Sequence, residues 1–297
     1  MEMIMNKNKL EIFFKYFFQF FAILAIVFLG LITIFILFEG IKPFLWFNPN
    51  GTVNFWDFLT GLIWDPSNKQ YGIGYMIIAT ILAIGLAMIF TIPLSLLTAM
   101  AVVELLPKKI REIIIMIIDL LAGIPSIIFG IFGLGFIVPL ILNLPMNNEP
   151  QGNSLLAVSI VLTIMVLPTI TAVAISSLKS VPKSYIEASL GLGATKIQTL
   201  LKIILPSASR GILAGIILGI GRAVGETMAV ILVAGNVSGG LVDSIFAPIR
   251  PLTANIALDM SYATGLHKEL LFSTALILFI IVFILNIILQ RLIKKGK

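Results

Sequence analysis

Six stretches of this chain stay apolar for longer than the roughly 20 residues a helix needs to cross about 30 Å of hydrocarbon. They fall near 17–40, 73–103, 113–142, 153–178, 211–236 and 269–291. Only 11% of the residues are charged and 59% are hydrophobic, too few polar side chains to cover a soluble domain. Barrel strands are excluded as well, because they alternate apolar and polar residues over short segments of about ten. The predicted fold is an all-α membrane protein with six transmembrane helices. Residues 1–72 form an anchor helix and the first outer loop, and residues 73–293 form the transmembrane core.

The distribution of Lys and Arg sets the orientation. Fifteen of the 20 fall into four segments that share one side. These are Lys7, Lys9 and Lys15; Lys108, Lys109 and Arg111; Lys179, Lys183, Lys196, Lys202 and Arg210; and Arg291, Lys294, Lys295 and Lys297. Lys42, Lys69, Arg250 and Lys268 fall on the other side, and Arg222 lies inside a span. The excess places both termini in the cytoplasm of a multi-pass protein of the cell's inner membrane. The net charge of +6 is then a consequence of topology and does not point to nucleic acid. The first apolar run is too long for a signal-peptide core and has no small-x-small cleavage site, so it reads as an uncleaved anchor in membrane lipid. There is no cysteine, hence no disulfide or thiol chemistry. The loop over 41–72 carries Trp46, Trp56 and Trp64 beside Phe44, Phe47, Phe55 and Phe58. An interfacial aromatic belt is the expectation, with a docking surface for an external partner as the alternative.

The basic insert at 180–207 has a spaced pattern: Glu187-Ala188-Ser189, then Gly193, Ile203, Leu205 and Pro206. Val181-Pro182 opens a first helix, and Gly191 and Gly193 stop it. A second helix runs from Thr195 until Pro206 interrupts it. An amphipathic hairpin on the inner membrane surface is the plain alternative. The pattern resembles the EAA loop of ABC importer permeases, with Ser189 in place of the second alanine. That resemblance implies a knob docking into an ATP-hydrolysing subunit, with Glu187 as polar contact, Gly193 as the turn, and Ala188, Leu205 and Pro206 completing the loop. The chain has no phosphate-binding Gly-x4-Gly-Lys motif of its own, its only Gly-Lys pair being Gly296-Lys297.

Inside the fifth span lies Arg222, which counting from Gly211 puts near mid-membrane, where an unpaired charge is costly. Glu226, four residues on, is expected one turn above on the same helix face, forming an ion pair. A structural pair that locks the bundle is one reading. The other is an anion site or gate, since the guanidinium fork suits a phosphate-like oxyanion. Gly215, Gly219, Gly221 and Gly225 are expected to admit a neighbouring helix. Pro125 breaks the third span, making Ser126 a further pathway contact beside Arg222, Glu226 and Thr227. Asp119 is expected as a shallow packing or gating contact and His267 as a surface histidine. With no cysteine, one histidine and no paired carboxylates, no catalytic or metal site is expected.

Four segments then converge: Ala122 to Gly130 (Ala-Gly-Ile-Pro-Ser-Ile-Ile-Phe-Gly), Gly221 to Val230 (Gly-Arg-Ala-Val-Gly-Glu-Thr-Met-Ala-Val), Gly235-Asn236, and Leu252 to Ala257 (Leu-Thr-Ala-Asn-Ile-Ala). With the loop, they resemble permeases of the Pst phosphate importer, PstC-like rather than PstA-like, over about residues 70–291. Asp259 stands where the family leads us to expect glutamate. The resemblance implies a type I ABC importer permease with a MetI-like core, forming half of a phosphate pathway. It also implies a PstA-like permease as heterodimer partner, an ATPase dimer that alone holds ATP and Mg, and an extracytoplasmic phosphate-binding protein. No cofactor is expected in this chain. A molybdate or sulfate importer, or a secondary anion transporter, are the competing readings.

The topology is directly testable. In intact cells, a cysteine at Asn68 should react with a membrane-impermeant thiol reagent and one at Ser184 should not; the reverse pattern inverts the orientation.

Overall fold

The computed structural model describes residues 2–45, 47–144 and 151–295, with side chains described over 11–45, 47–144 and 151–291. Trp46 and the side chains of Lys7, Lys9, Lys294, Lys295 and Lys297 lie outside them. The chain opens with α1 (Glu2–Ile41), then enters a cap built of α2 (Phe55–Thr60) and an antiparallel ribbon, β1 (Trp64–Asp65) with β2 (Gln70–Tyr71). Local polar chemistry shapes that cap. The Asn54 side chain accepts from the Trp56 amide to start α2, and the Asp65 side chain accepts from the Ser67 and Asn68 amides to turn the ribbon. There follow α3 (Gly74–Met100), α4 (Lys108–Gly123), α5 (Ser126–Phe132), α6 (Val138–Leu142) and α7 (Leu155–Lys179). The second half holds α8 (Lys183–Gly191), α9 (Lys196–Thr199), α10 (Leu205–Gly225), α11 (Met228–Val233), α12 (Leu252–Asp259) and α13 (Gly265–Lys295).

Five helical stretches are long and apolar enough to span a bilayer, or six if the pair Lys108–Gly123 and Ser126–Leu142 counts as one. That pair bends by 98° at the break before Ser126, because Pro125 has no amide hydrogen to continue the ladder. The fifth span differs from its expected limits of 211–236. Helix runs from Lys196 to Gly225 and stops there. Pro206 does not end the preceding helix: a π turn over Leu200–Ile204 precedes it, so Pro206 falls at the start of α10.

Helix α7 is the axis of the bundle, with α3, α10, α4 and α11 packed around it. Its small polar residues join it to α3: Ser159 donates to the Ala83 carbonyl at 3.2 Å and Thr163 to the Ala87 carbonyl at 3.2 Å. Against α10 the approach is closer still. Gly211, Gly215 and Gly219, one per turn, lie on Ser177, Val173 and Ile170 of α7, and a Cβ at Gly219 would sit 2.5 Å from Ile170 Cγ1. Such a small-residue stripe lets two backbones pack where lipid provides no hydrophobic drive. Gly221 and Gly225 do not belong to it, contrary to the sequence expectation; a Cβ at either would meet open space. Helix α1 touches the rest near its cap end, where Ser273 donates to the Gly40 carbonyl at 2.7 Å and Phe35 meets Phe272 edge-on.

Gly219→Val should therefore lower the melting temperature of the detergent-solubilised protein, at a cost of about 1–3 kcal/mol from overpacking. Gly221→Ala should leave it unchanged or raise it slightly, since the new methyl meets open space on a helix that favours alanine. Equal effects would remove the distinction between the two glycines.

Candidate functional site

Two broken helices start again at one depth. Helices α5 and α11 pack together, Gly130 beside Ala229 and Gly133 beside Val233. That register puts Ser126, the first residue of α5, level with the Gly225–Glu226 break that precedes α11. At the break Glu226 is extended, with φ −72° and ψ 129°, and α10 has ended. Helices α10 and α11 would be one continuous helix if Glu226 simply followed Arg222 by one turn, and they are not.

The predicted Arg222–Glu226 ion pair is accordingly not formed. Glu226 turns inward, 9% exposed, and its carboxylate accepts from the Ala229 amide at 3.2 Å, holding the first turn of α11. Beside it lies a cavity of about 10 Å³, also lined by Thr80 and Thr253. Arg222 turns the other way. Its Nη1 donates to Thr169 Oγ1 of α7 at 3.0 Å. Thr169 is fourteen residues past Leu155 and ten before Lys179, about 21 Å and 15 Å along the helix at about 1.5 Å per residue. Arg222 is thus held at mid-depth by one neutral hydroxyl, half-buried, with no carboxylate partner among the described residues. Leu218, Gly221 and Gly225 are exposed on the face beside it, at i, i+3 and i+7. Thr227 is half-buried and bonds the Gly225 carbonyl at 3.3 Å. Asp119 is exposed on α4, lining an open groove with Glu112 and Met116.

A charged network at the cap end escaped the sequence reading. Asp259, 3% exposed, accepts from Arg250 Nη2 at 2.7 Å, Tyr262 hydroxyl at 2.6 Å and Trp64 Nε1 at 2.8 Å, and faces His267 Nε2 at 3.2 Å. His267 is therefore no surface histidine, and Trp64, 1% exposed, is no belt tryptophan. Trp56 and Phe47 do stay exposed. Burial pushes the Asp259 carboxyl up, but the donors from Tyr262 and Trp64 and the Arg250 charge outweigh it and hold the group below the usual carboxylate range. The stabilisation is present above the ordinary carboxylate pKa and is lost as pH falls through the lower folded value. The signal in the sequence was Arg250-Pro251: a rigid, charged residue at the mouth of an apolar helix.

At the opposite end, α8 and the helix from Lys196 form a hairpin. Gly193 has φ +85°, a left-handed turn that favours glycine. Thr195 and Gln198 form a reciprocal capping box, and the Ser189 and Thr199 hydroxyls share a hydrogen bond of 2.9 Å across the hairpin. Serine at 189 thus ties the two helices together where alanine could not. Glu187, Ala188 and Pro206 are exposed, Leu205 is half-buried, and Leu192 at the tip is 90% exposed. Tyr185, Ala188, Leu192, Ile203 and Pro206 line a groove of about 470 Å³.

Residues 91–296 match the family of binding-protein-dependent transport system inner membrane components. The chain is 35% identical to the probable ABC transporter permease protein YqgH of Bacillus subtilis, covering 90% of this chain and 85% of that protein. It is 33% identical to the phosphate transport system permease protein PstC of Pasteurella multocida, covering 98% and 94%. Its fold resembles the inward-facing MetNI methionine ABC transporter with a TM-score of 0.57 at 20% identity, covering 76% of this chain and 94% of that one. It also resembles a bacterial alginate ABC transporter, with a TM-score of 0.61 at 16% identity, covering 93% and 96%.

Proposed function

The chain belongs to the inner membrane components of binding-protein-dependent transport systems, and from that premise we propose that it is a permease subunit of an ATP-driven phosphate importer. Relatives named as phosphate transport permeases, similar along nearly the whole chain, support the choice of phosphate over molybdate or sulfate. The observation that carries the reading is Arg222, a mid-depth guanidinium given a single neutral hydroxyl and no counter-charge among the described residues. A cation so placed is costly unless it faces a wet cavity or meets an anion. Its exposed side, floored by Gly221 and Gly225, would form half of the pathway. A second permease, PstA-like in this reading, supplies the other half. The anion contacts are Arg222, Thr227 and Ser126; Glu226 instead shapes the break from which α11 starts.

A pathway site must bind weakly enough to release its ion, so a few guanidinium donors serve better than a closed cage. The exposed hairpin around Glu187 and Gly193 gives the energy input. Leu192 and the adjoining groove are an apolar surface edged by Lys202, of the kind a protein partner covers. In our reading that partner is an ATPase dimer on the cytoplasmic side, which holds ATP and Mg, and both termini lie on the same side. An extracytoplasmic phosphate-binding protein would deliver the anion at the cap end. ATP binding would close the ATPase pair, carry the hairpins with it and reopen the bundle toward the cap end.

The test is uptake of labelled phosphate by proteoliposomes holding the complete transporter. Uptake should require ATP, and Gly193→Arg, which puts a side chain on a left-handed turn, should abolish it together with co-purification of the ATPase. Uptake without nucleotide would instead favour a secondary transporter. Normal uptake and ATPase association in Gly193→Arg would remove the docking assignment.

A further inference from the structure

Helix α12 is bonded at both ends to parts of the molecule with different jobs. At its start, the Leu252 amide donates to Thr80 Oγ1 at 3.0 Å and Thr253 Oγ1 donates to the Glu226 carbonyl at 3.0 Å. Glu226 is the break residue from which α11 starts, four residues after Arg222. At its other end stands Asp259, on whose carboxylate three donors converge, with His267 Nε2 beside them. Seven steps of about 1.5 Å, from Leu252 to Asp259, separate these ends by only about 10 Å. The helix is buried at its first turn, through Leu252, Thr253, Ala254 and Asn255, and again at Asp259, so both of its ends are held by packing while Ala257 between them is exposed.

The carboxylate is where the cap is fastened. Trp64, one of its donors, belongs to β1, and its amide donates to the Ser238 carbonyl at 2.7 Å while Ile63 pairs with Gly239. Ribbon and 236–240 loop therefore move with the indole. The outer surface of the same cap is apolar and exposed at Leu62, Ile63, Leu241 and Tyr262. Tyr262 itself donates to Asp259. A displacement of the exposed cap thus reaches Asp259 through two of its donors, and from there α12 carries it to Glu226.

We propose that α12 is a rigid strut by which contact on the cap is transmitted to the helix break beside Arg222, with Asp259 and Thr253 as positioning residues at its two ends. This rests on the reading of the chain as a binding-protein-dependent permease, since the contact in question is docking of the external binding protein. The two-ended bonding gives a prediction that a purely structural role does not share. Loosening either end should uncouple docking from ATP hydrolysis on the partner, and loosening both should do no further harm.

The experiment measures ATP hydrolysis by the complete transporter in nanodiscs, with and without phosphate-loaded binding protein. Asp259→Asn keeps an acceptor for Arg250 and Tyr262 while turning an amide N–H toward the Trp64 indole N–H. Thr253→Val removes one hydroxyl at nearly constant shape and strands no charge. Each should keep the basal rate and lose stimulation roughly 5- to 20-fold, within the usual range of coupling between sites. The double variant should match the worse single one, as two breaks in one linkage must. Wild-type stimulation in both single variants overturns the strut. Parallel loss of basal and stimulated rates, failure to assemble, or losses that multiply in the double variant assign both residues to the fold alone and overturn it too. If the unaltered transporter is not stimulated by the loaded binding protein, it is the functional reading that fails.

Discussion

An arginine at mid-membrane held by a single threonine hydroxyl is the constraint around which the rest of the molecule makes sense. Charge at that depth is tolerated only where protein or water receives it. The chain meets the demand by geometry. Gly211, Gly215 and Gly219 press α10 onto α7 closely enough for Arg222 to reach Thr169, while Gly221 and Gly225 leave the next face bare. Ending α10 at Gly225 then swings Glu226 inward, away from the guanidinium. A continuous helix would have put that carboxylate beside Arg222 and neutralised it. The helix break is what keeps the arginine available.

The same economy appears at the two ends of the bundle. At the cap end, Asp259 is satisfied by several donors at once, which hold Trp64, Arg250 and Tyr262 around one buried carboxylate. At the basic end, polar bonds again decide the shape: the Thr195–Gln198 box and the Ser189–Thr199 contact hold the hairpin while its apolar tip stays bare. A cap and a hairpin each tied by polar bonds thus lie at the two ends of a bundle that holds, between them, a cation without a carboxylate partner among the described residues.

Much of this was legible from residues alone. Span count, the break at Pro125, the hairpin and the depth of Arg222 follow from apolar length, proline chemistry and charge position, which act locally. What was misread depended on contacts between distant segments. Helical spacing alone pairs Arg222 with Glu226, and only the packing of α11 on α5 and α12 on the break shows why the helix stops first. His267 and Trp64 look like loop residues until Asp259, which lies 195 positions from Trp64, gathers them. Pro206 looked like a helix stop because a π turn at Leu200–Ile204, which absorbs it, has no sequence signature of its own.

The central claim is that Arg222 serves the anion and not the fold, and Arg222→Lys tests it most directly. The ammonium keeps the charge and can still reach toward Thr169, but it loses the planar fork that addresses two oxygens at once. In proteoliposomes with the complete transporter, the account predicts normal assembly, normal basal ATP hydrolysis and phosphate uptake reduced roughly 10- to 100-fold, as for loss of one charge-assisted hydrogen bond. Uptake at the unaltered rate, or a loss of assembly in place of a loss of uptake, would contradict it.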